Sequence, residues 1–281
     1  MDTRLQAEKA AKLRELHQGP RILVLPNAWD VSSARIVEEA GYPAIATTSA
    51  GVAATLGYID GQRISADEML GVVGRIARAV RVPVTADLEA GYTKTPQQIA
   101  EFAREVVRSG AVGLNFEDVT GDDESTFVPL ALQVEKIQAL RDASAAMGVS
   151  LVINARTDIY LMPIGDPATR FERTVERLRA YRAAGADCVF APGVADKELI
   201  AKLVKAIDAP LNILMSAAAP SIPELEQLGV RRASAGASVF RAALGAARRI
   251  ALDLRAGKSQ SLYENAVPFA ELKEILSRNA S

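Results

Sequence analysis

The chain has 281 residues, is 49% hydrophobic and 24% charged, and carries a formal net charge of -1. It is long enough for a full core, and near-neutrality gives no basis for a nucleic-acid or membrane-surface partner. A single cysteine, Cys188, rules out an internal disulfide, and a single histidine, His17, argues against a histidine-rich metal site or a Ser-His-Asp triad.

The opening segment, MDTRLQAEKAAKLRELHQG, is charged and helical in period, and His17 on it reads as solvated. It has no secretory-type apolar stretch, and no later run approaches the roughly 18–20 apolar residues of a membrane span. A cytoplasmic location is expected.

From there, short β-branched runs alternate with Ala/Glu/Arg-rich stretches. Strands are predicted at 22–25, 44–48, 83–87, 112–116, 151–154, 187–190, 211–214 and 232–235. Helices are predicted at 31–40, 65–80, 96–109, 131–147, 167–184, 196–206, 221–228 and 237–254, with a further helical stretch at 267–278. The joints EEAGYPAI, VRSGAVGLNF, RAAGADCVF and EQLGVRRASA repeat one pattern of helix, glycine, strand. The apolar runs are continuous, as in parallel strands covered on both faces. Eight βα units favour a closed (β/α)8 TIM barrel spanning 1–281 as a single domain. A doubly wound sheet is the rival, weakened because LVLPNAWD stands where a Gly-rich phosphate loop would be.

A barrel of this kind builds its site at the C-terminal ends of its strands. Polar residues gather there: Asn27, Trp29 and Asp30; Thr47, Thr48 and Ser49; Asp87 and Glu89; Asn115, Glu117 and Asp118; Asn154, Arg156 and Asp158. Residues two apart on a strand share a face, so Asp87 with Glu89, Asn115 with Glu117, and Asn154 with Arg156 are expected to converge. Several carboxylates in one mouth repel unless a cation sits among them, and Mg²⁺ suits an all-oxygen set, often with one direct carboxylate and waters held by the rest. Helix caps and surface ion pairs are the ordinary alternative for each acid taken alone. Thr47–Gly51 reads as a small polar turn whose N–H groups cradle a carboxylate, or as a plain βα loop. Arg156 either holds a second anionic group or neutralises Asp158. Tyr92 either donates to substrate or packs at the rim, and Cys188 reads as a buried structural thiol.

Together LPNAWDVSSARIVEEAG, TTSAGVAATLGYID, DLEAGY, NFED, NARTD and APSIPELEQLGVRRASAG make the chain resemble the isocitrate lyase/phosphoenolpyruvate mutase superfamily over nearly its whole length. The resemblance implies a barrel that exchanges its last helix in a homo-oligomer, a dimer or a dimer of dimers. It implies Mg²⁺, with Mn²⁺ as an alternative, and small 2-oxo, 2-hydroxy or phosphono acids. By position, it implies Asp87 as direct metal ligand, and Asp60, Glu89 and Glu117 as acids that hold the metal through water. It assigns Thr48, Ser49 and Ala50 to the substrate carboxylate and Arg156 to the substrate. With the strand-end positions added, the expected substrate-binding set is Thr48, Ser49, Ala50, Asn115, Asn154 and Arg156, and the expected catalytic set is Arg156, Asp60 and Tyr92. The lyase branch carries Lys-Lys-Cys-Gly-His after strand 4, and the mutase branch carries basic and amide residues there. Here that segment reads EDVTGDDESTFVPL, long enough to serve as a lid. The expected function is a Mg²⁺-dependent lyase or decarboxylase that cleaves a C–C bond through a metal-stabilised enolate. The rivals are C–P chemistry (phosphonopyruvate hydrolysis or phosphoenolpyruvate mutation) and a non-catalytic oxo-acid binder.

Overall fold

The computed structural model describes residues 2–119, 126–162 and 164–277. Its first stave is split. β1 (Leu23–Leu25) and β2 (Asn27–Ala28) flank Pro26, which has no N–H to give to a ladder. One parallel sheet is completed by β3 (Ile45–Thr47), β4 (Val84–Asp87), β5 (Gly113–Glu117), β6 (Val152–Arg156), β7 (Cys188–Phe190), β8 (Leu211–Leu214) and β9 (Arg232–Ser234). β1 pairs with β9 and β2 with β3, so the sheet closes through the split stave. This is the expected TIM barrel, and that closure excludes the doubly wound alternative. Each predicted strand lies within two residues of the observed one.

Helices clothe the barrel in sequence: α1 (Thr3–Gln18), α2 (Val31–Glu39), α3 (Ser49–Thr55), α4 (Ala66–Ala79), α5 (Pro96–Ser109), α6 (Leu130–Ala146), α7 (Arg170–Ala183), α8 (Lys197–Ile207), α9 (Ile222–Gln227), α10 (Ser238–Arg255) and α11 (Phe269–Ser277). α5 illustrates why the boundaries are legible. Thr95 caps the Gln98 N–H, Pro96 sits in the first turn, and Gly110 ends the helix at φ 96°. Its buried face, Ile99, Phe102, Ala103, Val106 and Val107, follows the helical period.

Two expectations are corrected here. Thr47–Gly51 is not a loop: Thr48 caps α3, and the small residues that follow wind directly into helix. His17 is not solvated but 1% exposed. It lies on the face of α1 that covers the strands' N-terminal ends, where its Nδ1 donates to the Leu13 carbonyl at 2.7 Å. Burial, helped by the nearby Arg232 charge, pushes its pKa down to about 4.

Parallel register sets the site. Asp87, Asn115, Asn154 and Cys188 form one row across β4 to β7, and Glu117, Arg156 and Phe190 form another two residues further along. Cys188 is fully buried, and burial pushes its thiol up to about 12, as a structural cysteine requires. No helix among the described residues is long and apolar enough to cross a membrane.

Candidate active site

Asp87 ends β4 inside the barrel and is 9% exposed. Its Oδ2 accepts from both the backbone N–H and the hydroxyl of Ser49, at 3.0 and 2.9 Å. Its Oδ1 accepts from Asn115 Nδ2 at 3.0 Å. The Asn115 amide is oriented from behind: its Oδ1 takes Asn154 Nδ2 at 2.8 Å and Arg232 Nη2 at 3.1 Å. The amide nitrogen is therefore left to face the carboxylate. Arg232 is itself fully buried. The Ser49 N–H expected to cradle a substrate carboxylate is thus spent on Asp87.

Glu89 reaches the same region by a different route from the one expected. β4 has already ended, and Glu89 adopts φ 51° in a tight turn where Gly91 is at 80° and Tyr92 at 57°. A Cβ on Gly91 would come within 2.9 Å of the Phe116 ring and 2.7 Å of Ile99. Two non-glycine residues in the left-handed region cost energy, and the turn is held by Tyr92 N–H on Gln62 Oε1 (2.8 Å) and Glu117 N–H on the Glu89 carbonyl (3.0 Å). The turn carries the Glu89 carboxylate toward Asp60 and Glu117 rather than letting it follow the pleat. Tyr92 donates to Glu89 Oε1 at 3.1 Å and stacks at a tilt on Phe102.

Arg156 ends β6. Its Nε and Nη2 grip Asp158 at 2.5 and 2.8 Å. Nη1 lies 2.7 Å from Glu117 Oε2 without the alignment of a hydrogen bond. Burial opposes the Arg156 charge, but Glu117 and Asp158 outweigh it and hold the group above its usual range. The arginine is thus doubly neutralised: it is the partner of Asp158, and it lines the cavities described next.

Two adjoining cavities open over these residues. One, of about 190 Å³, is lined by Asp60, Glu89, Glu117, Arg156 and Asp158. The other, of about 230 Å³, is lined by Thr48, Ala50, Asp87, Asn115 and Arg241, and the two share Ser49, Asp60, Arg156 and Leu161. The four expected acids Asp60, Asp87, Glu89 and Glu117 therefore converge, whereas Tyr92 and Asn154 act from behind and line neither cavity. Asp118 is also outside. It is fully buried and accepts from Tyr181 Oη at 2.7 Å and Arg177 at 3.1 Å, which anchors the loop base. The centre of the expected lid, residues 120–125, lies outside the described residues.

The acids show what they lack. Burial, then Asp87, raises Asp60; burial, then Asp60 and Asp87, raises Glu89 to about 7. Burial raises Glu117 as well, with Arg156 opposing and the remaining carboxylates adding to the shift. All are oxygen donors whose ionised forms disfavour one another, which is the chemistry a hard cation relieves. Among the described residues no three acidic, His or Cys side chains stand close enough to ligate one ion directly. The set fits an ion held by one or two carboxylates with waters between it and the rest, and does not fit an all-protein cage.

The end of β9 was missed in the sequence. Ser234, Gly236, Ser238 and Arg241 line the larger cavity, and the rule that found the other strand ends applies to GASVFR as well.

A closed parallel barrel whose strand ends gather acids and an arginine over one mouth is an enzyme architecture for small anionic substrates. The chain belongs to the phosphoenolpyruvate phosphomutase family, which it matches over residues 13–255, and so to the PEP mutase/isocitrate lyase superfamily of lyases and mutases. It is 38% identical to a solved protein of Burkholderia cenocepacia J2315, with TM-score 0.90 over 98% of this chain and 97% of that one. It is 27% identical to 2,3-dimethylmalate lyase, a solved member of the superfamily, with TM-score 0.84 over 96% and 95% of the two chains. It is 28% identical over 276 residues to the oxaloacetate decarboxylase of Bradyrhizobium sp. (strain BTAi1), covering 95% and 92% of the two chains.

Proposed function

We propose that the protein is a Mg²⁺-dependent lyase that cleaves a C–C bond in a small 2-oxo or 2-hydroxy carboxylic acid, with decarboxylation of an oxaloacetate-like acid as its reaction. The observation that carries this reading is the closure of Asp60, Asp87, Glu89 and Glu117 on one mouth beside Arg156. Asp87 would hold the ion directly, with Asp60, Glu89 and Glu117 acting through water. When bound, Mg²⁺ supplies a Lewis acid beside the substrate's oxygen atoms.

The chain's own residues do the rest. Ser49 and Asn115 hold Asp87 in one orientation, so no reorganisation is needed when the site fills. Asp158 fixes the plane of Arg156, which then presents its edge to the substrate at one angle. Thr48 and Ala50 form the small wall that lets the substrate approach. The segment after β5 has no Cys, Lys or His to act as proton donor. Decarboxylation asks least of such a donor because water can protonate the product carbon. C–P chemistry asks for basic residues on the same segment, and it is acidic. The names of the 2,3-dimethylmalate lyase and oxaloacetate decarboxylase relatives support the same direction.

The test is turnover of oxaloacetate and related oxo acids with Mg²⁺, with EDTA, and after Mg²⁺ is restored, with ³¹P NMR of phosphonopyruvate as the competing arm. Turnover should vanish with EDTA and return with metal. Asp87→Ala should lose activity on the order of 100- to 1,000-fold while melting normally. Decarboxylation indifferent to chelation, or phosphonate cleavage in its place, overturns the reading. A folded protein that binds oxo acids without turnover would make it a binder. Self-association through the C-terminal helices belongs to the same proposal.

A further inference from the structure

Asp60 differs from the other acids of the mouth in how it gets there. Asp87 and Glu117 end β4 and β5, and Glu89 follows Asp87 by two residues. Asp60 stands on the segment 56–65 between α3 and α4, which carries neither strand nor helix. That segment faces solvent: Leu56, Tyr58 and Ile59 are 44%, 37% and 82% exposed. Yet Asp60 lines both cavities. An exposed connection of this kind is ordinarily the most mobile part of a barrel face, and the Asp60 and Glu89 carboxylates repel each other. Holding the two acids together takes a tie between the segment and the Glu89 turn.

Gln62 makes that tie, and at both ends of the turn. Its Oε1 accepts the Tyr92 N–H at 2.8 Å, and its own backbone N–H donates to the Glu89 carboxylate. The Tyr92 hydroxyl donates to the same carboxylate at 3.1 Å. Glu89 is thus held between Gln62 and Tyr92, and Gln62 holds Tyr92 as well. The backbone shows the strain in this arrangement. Gln62, Glu89 and Tyr92 lie at φ 58°, 51° and 57°, three non-glycine residues in the left-handed region on two segments that grip each other. A turn that needed only the left-handed conformation would take glycine or asparagine, and Gly61 next door already sits at φ 96°. What glycine lacks, and asparagine is one methylene too short to supply, is a side-chain carbonyl that reaches Tyr92.

We propose that Gln62 is a positioning residue for the metal site: by tying the Asp60 segment to the Glu89 turn it sets the spacing of Asp60 and Glu89 before an ion arrives, so that the divalent cation and its waters meet a preformed set of acids. This inference rests on the functional reading above. The Gln62 side chain lines neither cavity and acts through Glu89 and Tyr92, as partners behind metal-binding side chains do.

The experiment compares wild type, Gln62→Gly, Gln62→Asn and Gln62→Glu by Mg²⁺ calorimetry, by hydrogen exchange in EDTA and by thermal melting. Gln62→Gly and Gln62→Asn keep the left-handed backbone and lose the reach, so both should melt close to wild type. In EDTA their exchange should quicken over residues 57–62 and 89–92, and their Mg²⁺ affinity should fall on the order of 10-fold. Gln62→Glu keeps an acceptor for the Tyr92 N–H and should stay within about three-fold of wild type. Mg²⁺ affinity or exchange unchanged in Gln62→Gly and Gln62→Asn, or an equal loss of affinity in Gln62→Glu, overturns the role of Gln62 and leaves the proposed activity standing. A wild type that binds no Mg²⁺ overturns the functional reading itself.

Discussion

His17 shows how one residue couples the barrel floor to pH. It is 1% exposed, donates to the Leu13 carbonyl, and has its Nε2 3.5 Å from Arg232 Nη1. A proton there would put a second positive charge beside a buried guanidinium, so the native state keeps the ring neutral down to about 4. The unfolded chain takes up that proton near the ordinary value of about 6.5. Between those two values the unfolded state binds the proton and the native state does not, so stability falls as pH falls through that window and is unaffected above it. At pH 5 the loss should be about 2 kcal/mol relative to pH 7.5. Denaturant unfolding at both pH values measures it. The drop in wild type should exceed that in His17→Gln by this amount, and equal drops would show that His17 ionises without penalty.

At the scale of elements, α1 is fastened to the barrel rather than merely resting against it. Asp187, just ahead of β7, accepts from Arg14 on α1 at 2.7 Å, from Arg141 on α6, and from the Ile153 N–H at 2.9 Å. Arg14 also reaches the Ser150 carbonyl and Gln6 the Ala111 carbonyl, both at strand entrances. Asp187→Ala leaves two guanidiniums without their counter-charge and one buried N–H unpaired. Because the arginine side chains are 28% and 20% exposed, water recovers part of that, and the expected cost is about 2–3 kcal/mol. Hydrogen exchange should quicken first over residues 3–18, and protection unchanged there would mean the clasp carries no load. Such long-range fastening is what a linear reading could not supply. Strand and helix spans were legible because periodicity, caps such as Thr95 and glycines such as Gly110 act within a few residues. The placing of His17 was not, because it depends on Arg232, which is 215 residues away. The site divides the same way. Asp87, Asn115, Glu117 and Arg156 follow from strand-end position. Glu89 arrives through a left-handed turn, Asp60 through a loop, and the placing of Tyr92 and Asn154 outside the cavity walls through contacts with Glu89 and Asn115.

For the whole molecule, the unfinished surface is at the C-terminal end. α10 is an 18-residue helix with no buried residue, although it carries Val239, Leu244, Leu252 and Leu254 at 38%, 52%, 57% and 47% exposure. Beyond it Tyr263 and Phe269 are 79% and 83% exposed. A barrel helix ordinarily buries its apolar stripe on its own strands, and a monomer seldom leaves so many large apolar groups together in water. A second copy of the chain that brings the same elements can cover the stripe reciprocally, as a two-fold interface requires. The expected state is therefore a dimer or tetramer joined through α10 and the segment after it. Light scattering on the eluting protein should give a multiple of the 29.9 kDa chain mass. Leu244 and Leu252 lie about two turns apart on α10. Replacing both by glutamate should shift the mass toward one chain while far-ultraviolet circular dichroism is retained, because neither side chain supports the barrel's own core. A wild type that elutes at the mass of one chain, or an assembly indifferent to the two charges, would place the contact elsewhere and leave the apolar face of α10 without a role in self-association.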